Sequence, residues 1–236
     1  MQVELHPVYL LHRRNYRETS LLLEVFSSLY GRVAVVAKGA LRRSSEVGAI
    51  VQPFRPLLLS WTGRGGDLVT LTRCEAVGPA LLSGGRALLC GFYLNELMIR
   101  TLPRYDPHPD IYRDYESALQ SLPESTTHLE AILRVFEKQL LSALGYGLIL
   151  DRDVESNKPI QPEGRYYYDL EQGPCSNDPE PPRKTVSISG AALLALASEQ
   201  FTDAATLTEA KNLMRALLRS HIGEKPLYSR YWFEPQ

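Results

Sequence analysis

The sequence predicts an α+β protein, with a small N-terminal barrel of five β-strands followed by an α-helical domain. Two observations carry this expectation. Over residues 1–80, apolar runs are short and separated by glycine-marked turns, whereas from about residue 84 apolar residues recur at helical spacing. The change in period divides the chain into 1–80 and 81–236, the second part interrupted by a proline-rich irregular insertion near 151–184.

The expected strands are His6–His12 (HPVYLLH), Ser20–Phe26 (SLLLEVF), Arg32–Ala37 (RVAVVA), Pro56–Trp61 (PLLLSW) and Leu68–Val77 (LVTLTRCEAV). Tyr30-Gly31 precedes the third, Gly48 the fourth, and Gly63-Arg64-Gly65-Gly66 the fifth. Strand count favours the five-stranded OB arrangement over an SH3-like barrel or a small sandwich.

Helices follow. Arg86–Leu102 places Leu89, Tyr93, Leu97 and Met98 on one side, and Pro103 ends it. Pro109 suits a first helical turn, opening an Ile111–Leu122 helix with Ile111, Tyr115, Ala118, Leu119 and Leu122 inward. Thr127-His128-Leu129-Glu130 has the capping-box form; its helix carries Ile132, Leu133, Phe136, Leu140 and Leu144 and stops at Gly145. Ser189 is placed to cap an Ala/Leu-rich helix, and Ala204–Ile222 is closed by Gly223, with Pro226 beyond. In the insertion, which holds Pro159, Pro162, Pro174, Pro179, Pro181 and Pro182, Tyr166-Tyr167-Tyr168-Asp169 reads as one hairpin strand. The aromatic tail after Pro226 (LYSRYWFEPQ) is expected to dock on the body.

Composition narrows the function. Hydrophobic residues at 44% and charged residues at 22% fit a globular chain and exclude a disordered one. No apolar run approaches the roughly 18 residues of a membrane span, and the start, MQVELHPVYLL, lacks a basic leader and a cleavage site, so a cytosolic location is expected. The net charge of −1 conceals an asymmetry: ten Lys/Arg against six Asp/Glu give residues 1–80 a net +4, leaving −5 for the remainder. Such a division suggests that one half faces a polyanion. Cys74, Cys90 and Cys175 form neither a disulfide framework nor a CxxC pair; the first two read as buried thiols, while Cys175 reads as exposed in its loop.

Several ordered motifs resemble a known family. Leu11-His12-Arg13, Glu18-Thr19-Ser20-Leu21-Leu22-Leu23, Tyr30-Gly31-Arg32-Val33, Val36-Ala37-Lys38-Gly39-Ala40, Leu41-Arg42-Arg43 and Gln52-Pro53-Phe54 are similar to the N-terminal domain of RecO. Tyr93-Leu94-Asn95-Glu96-Leu97, Arg134-Val135-Phe136-Glu137, Leu144-Gly145-Tyr146-Gly147 and Lys225-Pro226-Leu227 with Ser229-Arg230 extend the resemblance over nearly the whole chain. It implies an OB domain and a helical domain. The implied activities are binding single-stranded DNA, annealing complementary strands, and helping RecA replace single-strand-binding protein together with RecR. Many members carry a four-cysteine zinc module after the Gly-Tyr-Gly motif. Here that region holds only Cys175, so the chain resembles the zinc-free branch and no metal or other cofactor is expected.

The strongest candidate for nucleic-acid binding is Lys38-Gly39-Ala40-Leu41-Arg42-Arg43, because small residues let backbone approach phosphates while three cations displace counterions. Arg13, Arg14 and Arg17, expected in the loop between strands one and two, and Arg32 can join it. A merely solvated basic loop is the alternative. Tyr16, flanked by Arg14 and Arg17, is the best base-stacking candidate; Trp61 either stacks or caps the barrel, and Tyr9 and Tyr30 read as core or rim. Lys211, Arg215 and Arg219 recur at i,i+4 as a second basic face, either solvated or a further DNA or partner surface. The family captures the C-terminal peptide of single-strand-binding protein, and the resemblance gives Arg134, with Phe136 and Lys138, that role. The alternative is an intrahelical Glu130–Arg134 pair.

Catalysis finds little support. Asp151-Arg152-Asp153-Val154-Glu155 is an acidic loop of the kind usually just solvated, the five histidines are scattered, and neither a P-loop, GxGxxG nor GxSxG occurs. The expected protein is therefore not an enzyme. A protein–protein adaptor without DNA affinity and a metal-dependent nuclease using Asp153 remain the competing readings.

Overall fold

The computed structural model describes residues 2–63, 68–124, 128–176, 184–223 and 225–229. Two compact units form, one from residues 1–125 with 226–236 and the other from 126–225.

In the first unit, β1 (Gln2–Tyr16), β2 (Ser20–Ser27), β3 (Gly31–Ala37), β4 (Leu57–Thr62) and β5 (Val69–Ala76) close into a barrel in the order β1-β2-β3-β5-β4. All neighbours are antiparallel except β3 and β5, which run parallel. This is the closed, OB-like five-stranded barrel that strand count and turn spacing predict. Its interior is filled by Val8, Leu10, Leu23, Val25, Val33, Val35, Leu57, Leu59 and Trp61, all at most 1% exposed. A short helix the sequence reading lacks, α1 (Val47–Ile50), crosses between β3 and β4. The expected glycine turn before β5 rests on residues 64–66, outside the described residues.

β2 and β3 do not alternate because both of their faces are covered, and every residue of each is buried. Part of the outer cover comes from α2 (Gly85–Thr101) and α3 (Pro109–Ser121), whose boundaries follow the sequence reading closely. Phe26 meets Tyr112 and Tyr9 meets Tyr115, at ring separations of 5.8 and 5.5 Å. Gly31 is obligatory: its φ is +63°, and a β-carbon there would lie 2.1 Å from the Asp106 carbonyl oxygen. The described part of the tail docks as expected, with Leu227 buried and the Tyr228 and Ser229 amides each donating to the Glu96 carboxylate at 2.8 Å.

The second unit packs α4 (Leu129–Ala143), α5 (Gly190–Ser198) and α6 (Ala204–Ile222) with a three-stranded sheet, β7-β6-β8, made of β6 (Arg165–Asp169), β7 (Gly173–Cys175) and β8 (Thr185–Ser189). The Tyr-rich segment is β6, at the centre of that sheet. Ser189 caps α5 by accepting from the Ala192 amide, and Asp203 caps α6. The expected capping box of α4 turns on Thr127, outside the described residues. Cys175 corrects its exposed reading: it is 2% exposed in β7. Cys90 is buried as expected, and Cys74 is half-buried.

One buried amide ties the first unit together. Ladder register shifts between Leu10 and His12, so β1 bulges there. Asn95 of α2, 2% exposed, donates through Nδ2 to the Leu11 carbonyl at 3.0 Å and the Leu10 carbonyl at 3.4 Å, and accepts from the Tyr115 hydroxyl at 2.6 Å. Replacing it strands these groups without water. Asn95→Ala is expected to lower stability by about 2–3 kcal/mol in urea unfolding; a loss under about 0.5 kcal/mol, the level of an ordinary surface change, contradicts this account.

Candidate nucleic-acid interface

The geometry starts from hairpin register. Tyr16 pairs with Ser20 across β1 and β2, and Leu21 pairs with Ala37 across β2 and β3. The tip of the first hairpin, residues 17–19, therefore lies beside the chain leaving β3 at Lys38. A backbone hydrogen bond joins the two loops, the Leu41 amide donating to the Thr19 carbonyl at 2.9 Å. The second loop turns on Gly39, at φ +70°, and the Arg42 amide donates to the Gly39 carbonyl at 3.0 Å. The Arg42 side chain lies back over that glycine.

One end of the barrel thus gathers Arg14, Arg17, Lys38, Arg42 and Arg43, all exposed. The Arg17 guanidinium sits 5.3 Å from the centre of the half-buried Tyr16 ring, a cation–π contact that offers a joint platform of charge and aromatic face. Exposed Glu18 and Glu46 lie in the same two loops and reduce the local excess without cancelling it.

Several expectations need correction. Arg13, Arg14 and Tyr16 are strand residues, because β1 runs through Tyr16; Arg17 alone of this group lies in the turn. The Arg13 guanidinium donates to the carbonyls of Gly48, at 3.2 Å, and Val51, at 2.8 Å. Arg32 is not at the interface. It is 9% exposed, donates to the Ile99 carbonyl and to that of Leu102 at 2.7 Å, and lies 3.7 Å from Glu24, which also pairs with Arg104. Burial lowers its pKa first, and Glu24 opposes that shift. Arg32 is a structural tie. Trp61 neither stacks nor caps: it is fully buried in the barrel core, edge-on to Tyr30 and His6. Tyr9 is buried with its hydroxyl donating to Glu116 at 2.8 Å, and Tyr30 is half-buried, so both keep their core or rim readings.

In the second unit, Arg215 and Arg219 are exposed on α6, opposite buried Leu213 and Leu217. Lys211 departs from this basic face by pairing with Glu130 at 2.9 Å. Arg134 makes no intrahelical pair with Glu130; it is 4% exposed and pairs with Glu137, a buried carboxylate that periodicity alone does not flag. Phe136 is 1% exposed, and Lys138 donates to the Leu196 and Ala197 carbonyls and pairs with Glu199. Arg134 and Phe136 are packed inward and Lys138 is half-buried and already engaged, so the three do not present the open carboxylate fork the resemblance implies.

The acidic loop is also structural. Asp153, 2% exposed, accepts from the amides of Glu155, Ser156 and Ser176 at 2.9, 2.7 and 2.7 Å, and from the Ser176 hydroxyl. Burial pushes its carboxyl upward, but the donors of Ser156 and Ser176 outweigh it and hold the pKa at about 2. Among the described residues no three His, Cys, Asp or Glu side chains are grouped to hold a metal ion. An open cavity of about 780 Å³ lies between the Gly145–Ile149 segment, the β6–β7 turn and the end of α6, where Tyr146 stacks on His221 at 3.8 Å.

The fold and the charged end together define an OB-barrel protein with a helical C-terminal part. Residues 1–80 match the family model described as Recombination protein O N terminal, and residues 82–230 match Recombination protein O C terminal. The chain belongs to the RecO family. It is 49% identical over 98% of its length to the DNA repair protein RecO of Nitrosococcus oceani, covering 92% of that protein. It is 45% identical to the protein of the same name from Methylococcus capsulatus, over 98% of this chain and 93% of the relative, and 45% identical to that from Coxiella burnetii, over 97% of each. Among the described residues, no helix is long and apolar enough to cross a membrane.

A depressed carboxyl pKa contributes stability above its unfolded value, near 4, that is lost as pH falls through the folded value. Asp153→Asn is expected to lower stability at pH 6 by about 2 kcal/mol. The difference from the parent should shrink between about pH 4 and 2 and vanish below. Urea unfolding followed across that range checks it; a pH-independent difference contradicts the ionised role.

Proposed function

We propose that this protein is a recombinational DNA repair mediator that binds single-stranded DNA at the cationic end of its OB-like barrel. In this reading, residues 1–80 form the DNA-binding domain. Arg14, Arg17, Lys38, Arg42 and Arg43 meet phosphates, and Tyr16 stacks on a base. The observation that carries it is the Leu41–Thr19 hydrogen bond, which fixes two cation-bearing loops side by side on one rigid scaffold. Membership of the RecO family, whose relatives above are named DNA repair proteins, supports the repair role.

The finer mechanism follows the same reading. The protein anneals complementary strands and helps RecA replace single-strand-binding protein, acting with RecR. Arg215 and Arg219 on α6 are the proposed second basic face, suited to a second strand. Since the work is binding and exchange, no bond-making chemistry is invoked. The site of action is the bacterial nucleoid. Capture of the C-terminal peptide of single-strand-binding protein near Arg134 requires side chains to open from their buried arrangement.

Counterion release gives the test its quantity. Five cations each meeting one phosphate predict a slope of about −3.5 for log K against log salt, at about −0.7 per contact on single strands. Arg42→Ala with Arg43→Ala is expected to reduce the slope by about 1.4 and to weaken binding by roughly tenfold or more near physiological salt. Fluorescence anisotropy on an oligonucleotide measures both, and a strand-annealing assay follows the same variants. Salt-independent association with no annealing favours the adaptor reading, and Mg²⁺-dependent cleavage favours the nuclease.

A further inference from the structure

We propose that Arg13 is a positioning residue of this interface, clamping α1 to β1 and so fixing the Lys38–Glu46 loop that carries Arg42 and Arg43. The inference rests on the DNA-binding reading above and deepens it by separating Arg13 from its neighbour Arg14.

Successive side chains on a strand leave opposite faces, so Arg13 and Arg14 cannot serve one surface. Arg14 shares its face with Tyr16, beside Arg17. Arg13 instead donates through Nη1 to the Gly48 and Val51 carbonyls, which a four-residue helix leaves without helical partners. α1 is held from below by Val51, fully buried in the barrel core, and Arg13 holds it from the side. The helix in turn braces the loop. A β-carbon at Gly48 would lie 2.7 Å from the Ala40 carbonyl oxygen, so α1 rests directly on the backbone between Gly39 and Leu41. Ala40 is itself 4% exposed in the core cluster. From Arg13 to Gly48 to Ala40 there is one continuous packed path, ending between Lys38 and Arg42. Although Arg13 reaches solvent, two of its hydrogen bonds are already made to backbone, leaving it poorly placed to meet a phosphate.

The test uses the full chain and reads two quantities. Amide hydrogen exchange at Ala49, Ile50 and Val51 should quicken roughly tenfold in Arg13→Ala and Arg13→Gln, with amides of β2 and β3 unchanged. Arg13→Lys, which can still reach a carbonyl, should fall between them and the parent. Single-stranded DNA affinity should drop roughly fivefold in Arg13→Ala while the salt slope stays at the parental value, whereas Arg42→Ala lowers the slope by about 0.7. A slope reduced by about 0.7 in Arg13→Ala makes Arg13 a phosphate contact and overturns the proposal. So does unaltered exchange in α1, or faster exchange with unaltered affinity. In the last case the Arg42→Ala, Arg43→Ala double variant separates the causes: a flat response there means that the interface reading itself has failed, and a steep one that only the clamp has. Should Arg13→Ala not fold, Arg13→Gln and Arg13→Lys carry both readouts.

Discussion

The first unit depends on how one β-bulge is satisfied. A bulge frees backbone groups from the ladder, and buried carbonyls without partners cost about 1–3 kcal/mol each. Asn95 meets that need from α2 and is itself oriented by Tyr115 of α3, so two helices and the longest strand are joined through a single amide. The bulge also marks a boundary along β1. Val8–Leu11, before and within it, are buried, whereas His12–Asn15, just beyond, are exposed. The strand is clamped where the helices need it and released where the basic hairpin begins. Fixing the bulge therefore fixes the base from which Arg14, Tyr16 and Arg17 project.

The cations of this chain divide by depth rather than by type. Arg32 and Arg134 are buried and paired with carboxylates; Lys138 is engaged by Glu199 at the C-terminal cap of α5, and Lys211 by Glu130 of α4. A buried guanidinium contributes little net stability compared with an apolar side chain, yet removing its partner is costly, so such pairs fix geometry more than they add free energy. Among the described residues of the barrel end, Arg14, Arg17, Lys38, Arg42 and Arg43 are exposed and outside such pairs, the set proposed to meet a polyanion. The separation follows from strand register and from the helices covering β3.

Much of the fold was legible because its punctuation is chemical. Glycines with positive φ open β3 at Gly31 and follow element ends at Gly39, Gly145 and Gly223, and Ser189 and Pro109 sit where caps and first turns require them. Periodicity then placed eleven of the strands and helices, including β6 within the proline-rich stretch. Burial was less legible. SLLLEVF and RVAVVA read as strands, but nothing in them says that both faces are covered, and that covering turns Arg32 from a ligand contact into a tie. Asn95 and Glu137 look like ordinary polar positions on amphipathic helices; their roles arise from residues distant in sequence or from packing depth. α1 is too short to show a period. The basic cluster on the barrel end was legible as composition, though which of its members stay open was decided by tertiary contacts.

A net charge of −1 does not oppose the proposed binding of a polyanion, because charge is felt locally. At physiological salt the screening length is about 8 Å, so a phosphate at the barrel end responds to the nearby loops and hardly to acidic residues further away. Glu18 and Glu46 are the exposed carboxylates within those loops, against five exposed cations. This balance suits a protein proposed to hand a strand onward, since moderate local charge allows binding that counterions can reverse. A deeper basic channel would hold DNA more tightly and release it more slowly. In the proposed binding, the Leu41–Thr19 hydrogen bond joins the two loops beforehand, which reduces the ordering that would oppose each encounter.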